Sequence, residues 1–176
     1  MTRHLLLICG SLRSESTNSS LLRTVESLLP DDVAADAFEA MGELPHFNPD
    51  RDVDPLPASV IDLRARIQRA DAILFSTPEY AGAMPGSLKN LLDWTVGGVE
   101  ITDKRAGWIN ISPNPDGAAR TYESLTTVLR YTGANVIDDA CVRIPVPRGS
   151  IGEDGLIHDA SLRAQISAVV TSLLDG

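Results

Sequence analysis

The chain has 176 residues, enough for one domain with a full hydrophobic core, and its hydrophobic fraction of 43% is ordinary for a globular protein. A net charge of −9 and a pI near 4.7 argue against nucleic acid or an anionic membrane surface as the main partner, since both would be repelled. The 2 cysteines and 3 histidines stand at no metal-ligand spacing, which excludes a disulfide framework and a zinc site.

Residues 5–9, Leu5-Leu6-Leu7-Ile8-Cys9, are apolar throughout, as a central parallel strand buried on both faces should be. Cys9 reads as a small core residue, and so does Cys141 in a later strand. The first strand empties into Gly10-Ser11-Leu12-Arg13-Ser14-Glu15-Ser16-Thr17-Asn18-Ser19. A helix over 18–29 follows, with Leu21, Leu22, Val25, Leu28 and Leu29 at helical spacing. One helix cap needs one hydroxyl or amide, and this loop has a surplus of them together with Arg13. Donors gathered at a helix N-terminus suit a phosphate, because each of its oxygens can then be met. In so acidic a chain the positive potential must be local, and Arg13 supplies it.

Further along, 33–38 reads as a weaker strand at a sheet edge, interrupted by Asp36. Residues 40–57 form a long proline-rich loop, expected to be functional or to offer contact surface through Phe47. Pro57 opens a helix with Val60, Leu63 and Ile67 on its buried face. A third strand over 72–76 leads into a second candidate site, 77–86. Pro85 opens a helix carrying Leu88, Leu91, Leu92, Thr95 and Val96, closed by Gly97-Gly98. A fourth strand over 106–112 is followed by a Pro/Gly turn over 113–117 and a helix through Tyr122, Leu125 and Leu129 that Gly133 stops. A fifth strand over 136–144 precedes a last helix lined by Leu162, Ile166, Val169, Val170 and Leu173.

This alternation predicts an α/β chain, residues 1–176 as a single domain, with a five-stranded parallel sheet of order 2-1-3-4-5 between two helical layers. Strands 1 and 3 are then neighbours, and the crevice at their carboxyl ends is where such sheets bind ligands. Two prolines and two glycines stiffen 77–86 and let its backbone approach a flat ligand closely, as a flavin ring requires. Tyr80 and Met84 alone would cover such a ring poorly, and the fourth strand adds Ser112 at the same edge.

Gly10-Ser11-Leu12-Arg13-x-x-Ser16-x-Asn18 resembles the phosphate signature of the NADPH-dependent FMN reductase family. Pro78-Glu79-Tyr80 and Pro85-Gly86-x-Leu88-Lys89-Asn90-x-x-Asp93-Trp94 are similar to that family's second signature. Leu44-Pro45-x-Phe47-Asn48-Pro49-Asp50 also matches, so the resemblance runs from the first strand into the fifth. It implies a flavodoxin-like, three-layer fold and bound FMN. Ser11, Arg13, Ser16 and Asn18 would hold the FMN phosphate, with Ser19 a further contact. Pro78, Glu79, Tyr80 and Ala81 would line the ribityl chain and the isoalloxazine, with Ser112 near the ring. It implies NADPH or NADH as co-substrate, hydride passing in two half-reactions at one groove, and no catalytic acid or base from the chain. The acceptor would be a small molecule such as a quinone, azo compound, metal oxyanion or free flavin, and the assembly a homodimer or homotetramer.

Two departures bear on this. Ala81 stands where many members have Asn, and the turn after the fourth strand is proline-rich and acidic in place of the family's glycine-rich one. Lys89, Asn90, Asp93 and Trp94 read as surface and packing residues. A flavodoxin-type electron carrier, or an FMN-binding regulatory protein without turnover, is the alternative reading. Arg13, with only 3 tyrosines and 2 tryptophans in the chain, speaks against a carrier that wraps its ring in aromatics. The absence of Gly-x-Gly-x-x-Gly speaks against a Rossmann enzyme. With no secretory h-region and no apolar run of membrane length, a cytoplasmic location is expected.

Overall fold

Leu5, Leu6, Leu7 and Ile8 are all buried because β1 (Arg3–Cys9) lies inside a parallel sheet covered on both faces. The computed structural model describes residues 2–114 and 116–175. Met1 and Gly176 of the predicted domain span, and Pro115 of the predicted fourth loop, lie outside the described residues. The other strands are β2 (Val33–Phe38), β3 (Ala72–Ser76), β4 (Arg105–Asn110) and β5 (Asn135–Arg143). Their order is β2-β1-β3-β4-β5, the flavodoxin-like order predicted from the alternation of elements.

Alternation along the strands sorts the core into two layers. Leu5, Leu7, Leu74 and Ile109 face α1 (Thr17–Glu26) and α5 (Ala160–Leu174). Leu6, Ile8, Ile73 and Phe75 face α2 (Ala58–Arg69), α3 (Gly86–Asp93) and α4 (Ala119–Tyr131). Each such side chain contributes about 1.5–3 kcal/mol on burial, so the sheet centre is the most stable part of the chain. The pairing of Cys9 with Ser76 sends the loops after β1 and β3 off the same edge, side by side.

Three sequence expectations change. Helix α1 stops at Glu26, short of the predicted 29. Helix α3 stops at Asp93, well before Gly97-Gly98, and Val96 is 64% exposed. The stop has a visible cause. Arg64 donates from Nε and Nη2 to the Trp94 carbonyl at 3.0 and 2.8 Å, filling the role of the next helical turn. Its Nη2 is also 2.8 Å from Asp52, and both side chains are nearly buried, so the guanidinium fixes the helix end to the long loop. Gly97 is needed for that contact, because a Cβ there would come within 1.7 Å of Asp52 Oδ2.

The third change concerns the long loop. It contains two 3₁₀ turns, Ala40–Glu43 and Pro49–Arg51, and Phe47 turns inward. The Phe47 ring meets Trp94 edge-on at 5.1 Å. Asn90 Nδ2 and Trp94 Nε1 both donate to the Pro45 carbonyl, at 3.0 and 2.8 Å, and Asn90 Oδ1 accepts from the Phe47 N–H at 2.8 Å. Phe47 is thus a packing residue, not an outer contact surface, and Asn90 and Trp94 are the anchors that hold its loop.

Candidate functional site

Gly10 is the point where the first loop touches the third strand. Its N–H donates to the Ser76 carbonyl at 2.8 Å, and a Cβ on Gly10 would lie 2.0 Å from Thr77 Oγ1. Only a glycine lets the two loops lie in contact. Beyond it, Ser16 caps α1, its Oγ accepting from the Ser19 N–H at 3.0 Å and sharing a hydrogen bond with Ser19 Oγ at 2.7 Å. Asn18 is buried, and its Oδ1 accepts from Ser76 Oγ at 2.8 Å. Ser11 Oγ accepts from the Arg13 N–H at 3.3 Å. Several predicted phosphate contacts therefore also build the loop.

What remains free is a set of donors. The N–H groups of Leu12, Ser14, Glu15, Thr17 and Asn18 meet no acceptor among the described residues, and Arg13 is exposed without an ion pair among them. Such N–H groups at a helix start favour an anion. Ser11, Arg13 and Ser19 line one cleft of about 320 Å³, together with Phe38 and Met41. Cys9 lines it too, with Sγ 3.4 Å from Ser19 Oγ. It is half-buried, packing against the core as expected and also bordering the cleft. Pro78, Glu79, Tyr80, Ala81 and Ser112 do not border this cleft; they belong to the β3 and β4 side of the edge.

The loop after β3 is a rigid hairpin. Tyr80 and Ala83 exchange both backbone hydrogen bonds, at 2.9 and 3.1 Å, around Ala81 at φ +53° and Gly82 at φ +75°. Two central residues with positive φ define a type I′ turn. Tyr80 is 51% exposed, as a ring-covering residue must be, whereas Met84 points into the core and does not share that task. Pro78 and Glu79 are half-buried. Glu79 Oε2 is shielded from solvent yet has no hydrogen-bond partner among the described residues, which leaves a buried acceptor unsatisfied.

The loop after β4 is organised by Asn110, which sequence reasoning missed. Its Oδ1 accepts from the Ser112 N–H at 3.0 Å and its Nδ2 donates to the Gly117 carbonyl at 2.9 Å. A polar residue closing the apolar run of β4 was the available signal. Tyr122, anticipated only as a buried helix residue, ties this region to the neighbouring loop. Its hydroxyl accepts from the Thr77 N–H at 3.0 Å and donates to the Ile109 carbonyl at 2.9 Å. Burial raises its pKa, so the phenol stays protonated and available for both bonds. Arg120, at the start of α4, brings Nη1 to 3.9 Å from where a Gly82 side chain would begin.

Loops from β1, β3 and β4 are thus physically linked at one sheet edge, through Gly10–Ser76, Asn18–Ser76 and Tyr122–Thr77. The donor-rich first loop fits the phosphate of a mononucleotide, and the exposed Tyr80 on its stiff hairpin fits a flat ring. Among the described residues no group of three or more His, Cys, Asp and Glu could hold a metal ion, and no helix is long and apolar enough to cross a membrane.

Residues 3–146 match the sequence profile of a family described as NADPH-dependent FMN reductase. An NAD(P)H-dependent FMN reductase of Pseudomonas aeruginosa is 31% identical over 168 residues, covering 94% of this chain and 90% of that protein. A quinone reductase of Pseudomonas putida is 31% identical over 142 residues, 79% of this chain and 73% of its own length. The solved structure of FerB, a flavoenzyme NAD(P)H:(acceptor) oxidoreductase from Paracoccus denitrificans, superposes with a TM-score of 0.85 at 30% identity, over 98% of this chain and 97% of that one.

Proposed function

This chain belongs to the NADPH-dependent FMN reductase family, and on that premise we propose that it is an FMN-dependent NAD(P)H oxidoreductase that reduces a small-molecule acceptor such as a quinone. FMN, when bound, supplies the hydride chemistry. The chain's own residues bind and orient it. Ser11, Arg13, Ser16, Asn18 and Ser19, with the unpaired N–H groups between them, form the phosphate cradle. Pro78, Glu79, Tyr80 and Ala81 present the hairpin backbone and the Tyr80 ring to the flavin, and Ser112 closes the groove from β4. We assign no catalytic acid or base to the chain's side chains, and the proton that accompanies hydride to a quinone would come from solvent.

The observation that carries this reading is the donor-rich loop joined through Asn18 and Ser76 to the hairpin loop. An anion site and a rigid aromatic-bearing turn are thereby held to one edge. We further propose that 1–176 is one domain, since both core layers pack on one sheet, and that it works as a homodimer or homotetramer. The exposed Val96 and Val99, at 64% and 79%, support a contact surface near α3. Free thiols at Cys9 and Cys141 accord with a cytoplasmic location.

The purified protein should show flavin absorbance bands and oxidise NAD(P)H when a quinone is added. A flavin-loaded protein inert toward NAD(P)H would instead be a carrier or a regulatory protein, and a protein unable to bind FMN would end the proposal.

A further inference from the structure

Asn110 and Arg143 stand opposite one another on the last rung between β4 and β5. From that rung both side chains reach the backbone of Ser112. Asn110 Oδ1 accepts from the Ser112 N–H at 3.0 Å, and Arg143 Nη2 donates to the Ser112 carbonyl at 3.1 Å. The same Nη2 lies 3.4 Å from the Pro113 carbonyl. Asn110 also donates from Nδ2 to the Gly117 carbonyl at 2.9 Å, and the Gly117 N–H donates to the Asn114 carbonyl at 2.9 Å. Gly117 is thereby held against Ser112, where a Cβ would come within 1.8 Å of Ser112 Oγ.

The backbone of Ser112 is thus fixed twice, its N–H by a β4 residue and its carbonyl by a β5 residue. Its hydroxyl meets no partner among the described residues, and the residue is only half-buried. A free donor on a fixed backbone is a preorganised contact, since it need not be reoriented when charge appears beside it. The rung is also tied to the loop that carries Tyr80. The Ile109 carbonyl, one residue before Asn110, accepts from the Tyr122 hydroxyl at 2.9 Å and lies 3.1 Å from Ser76 Oγ. The Tyr122 hydroxyl in turn accepts from the Thr77 N–H at 3.0 Å, three residues before Tyr80.

Resting on the oxidoreductase reading above, we propose that Asn110 and Arg143 are positioning residues that hold the Ser112 hydroxyl to meet a carbonyl oxygen of the acceptor. The net change is NAD(P)H, quinone and one proton to NAD(P)+ and hydroquinone. Hydride carries two electrons to the quinone, one carbonyl oxygen becomes anionic as they arrive, and solvent supplies the proton. A hydrogen bond from Ser112 Oγ to that oxygen strengthens as the charge grows, so it lowers the barrier more than it tightens binding. Asn110 and Arg143 act only through Ser112. The acceptors favoured are carbonyl compounds reduced by two electrons. A one-electron acceptor such as ferricyanide develops no such oxygen and is indifferent to the contact.

The test photoreduces FMN-loaded protein and mixes it with 1,4-benzoquinone or ferricyanide in a stopped flow. Reoxidation by the quinone should slow about a hundredfold in Ser112→Ala, the usual cost of one such donor, and about tenfold in Arg143→Ala, where the donor is only misplaced. Arg143→Lys can still donate to the Ser112 carbonyl and should recover most of the rate. Asn110→Asp turns an oxygen toward the Gly117 carbonyl and should slow the quinone as Arg143→Ala does. Asn110 is buried, and if that variant fails to fold the exposed Arg143 decides. The Arg143→Ala/Ser112→Ala pair should be no slower than Ser112→Ala alone, because both delete one contact. Reoxidation by ferricyanide and the flavin spectrum should stay as in the wild type. Equal slowing with both acceptors, additive losses in the pair, or a Ser112→Ala protein with the wild-type quinone rate would overturn the proposal. Photoreduction makes the test independent of NAD(P)H. A wild type inert toward NAD(P)H would therefore end the oxidoreductase reading while the quinone step still decides Ser112, and a protein that binds no FMN would end both.

Discussion

Ser76 Oγ, at the end of β3, donates a 2.8 Å hydrogen bond to Asn18 Oδ1 in the first turn of α1, and both residues are buried. The same hydroxyl lies 3.1 Å from the Ile109 carbonyl, so its single proton has two acceptors to choose from. Replacing Ser76 by Ala strands the Asn18 oxygen and should cost about 1–3 kcal/mol. Replacing Asn18 by Ala lets the hydroxyl turn to Ile109 and should cost less, about 1 kcal/mol. Urea unfolding of the two variants checks the ranking, and a reversed order would contradict this bond as the tie between the loops.

Arg13 is the one cation among the predicted phosphate contacts, so its removal should be felt through the phosphate. Charge-assisted bonds of about 1.5–3 kcal/mol translate into a tenfold to hundredfold loss of FMN affinity for Arg13→Ala. Riboflavin, without the phosphate, should bind the wild type far more weakly and be nearly indifferent to the substitution. Mutation and missing phosphate delete the same interaction, so their effects should not add. Fluorescence titration with both flavins measures the cycle. Equal losses for both would make Arg13 a structural residue and withdraw the cradle.

Ala81 occupies the first central position of a type I′ turn at φ +53°, where an L side chain is strained. Its neighbour Gly82 adopts φ +75° without that strain. Asn tolerates the left-handed region better than Ala, so Ala81→Asn should stabilise the fold by about 0.5–1 kcal/mol. Ala81→Gly should gain less, because the unfolded chain then gains freedom too. Thermal melts decide between these outcomes, and a destabilised Ala81→Asn would mean that the turn relaxes elsewhere.

The elements were legible wherever burial repeats with a period. The five buried residues of β3 read as an apolar run, and Val60, Leu63 and Ile67 gave the α2 face by spacing alone. The first loop was legible because its donors are contiguous. What could not be read were pairings across the chain. Nothing local marks Arg64 as the residue that ends α3, and nothing links Phe47 to Trp94, so that loop looked free when it is anchored. Asn110 and Arg143 share a rung only after β5 has been laid beside β4. Met84 was misplaced for a related reason. A hairpin two residues wide turns the chain sharply, and the side that faces the core depends on turn type, not on hydrophobicity.

Burial raises the Cys141 thiol from 9.0 to about 11, against a smaller opposing effect of a backbone hydrogen bond at Trp108. The folded state therefore holds the proton more tightly than the unfolded state does. The resulting stability is complete below the unfolded pKa and is lost as pH rises from about 9 toward 11. The loss should be modest, because the thiol is only partly buried and solvent screens it. The Tyr122 phenol acts in the same direction at higher pH still. In Cys141→Ala the decline of the melting temperature across this window should be shallower than in the wild type. Parallel curves for the two proteins would rule the thiol out as a contributor.

Gly10 offers the sharpest test that the first and third loops work as one unit. A methyl group at this position would lie 2.0 Å from Thr77 Oγ1, 2.4 Å from Thr77 Cβ and 3.0 Å from Leu88 Cδ2. None of these atoms can easily retreat, since Leu88 is fully buried and the Thr77 N–H is held by the Tyr122 hydroxyl at 3.0 Å. Gly10→Ala should therefore push the loops apart and cost about 1–3 kcal/mol in stability. Unlike Arg13→Ala, it should weaken FMN and riboflavin alike, because it displaces the groove and leaves the phosphate contacts chemically intact. Thr77→Ala removes the hydroxyl but keeps the nearer carbon, so it should rescue little. Thr77→Gly removes both atoms, and the Gly10→Ala/Thr77→Gly pair should be more stable than the sum of the single losses. Melting temperatures and flavin affinities of the two single variants and the pair give the coupling directly. Additive losses, or a Gly10→Ala protein with wild-type flavin affinity, would show that the loops tolerate separation and that the groove does not depend on their contact.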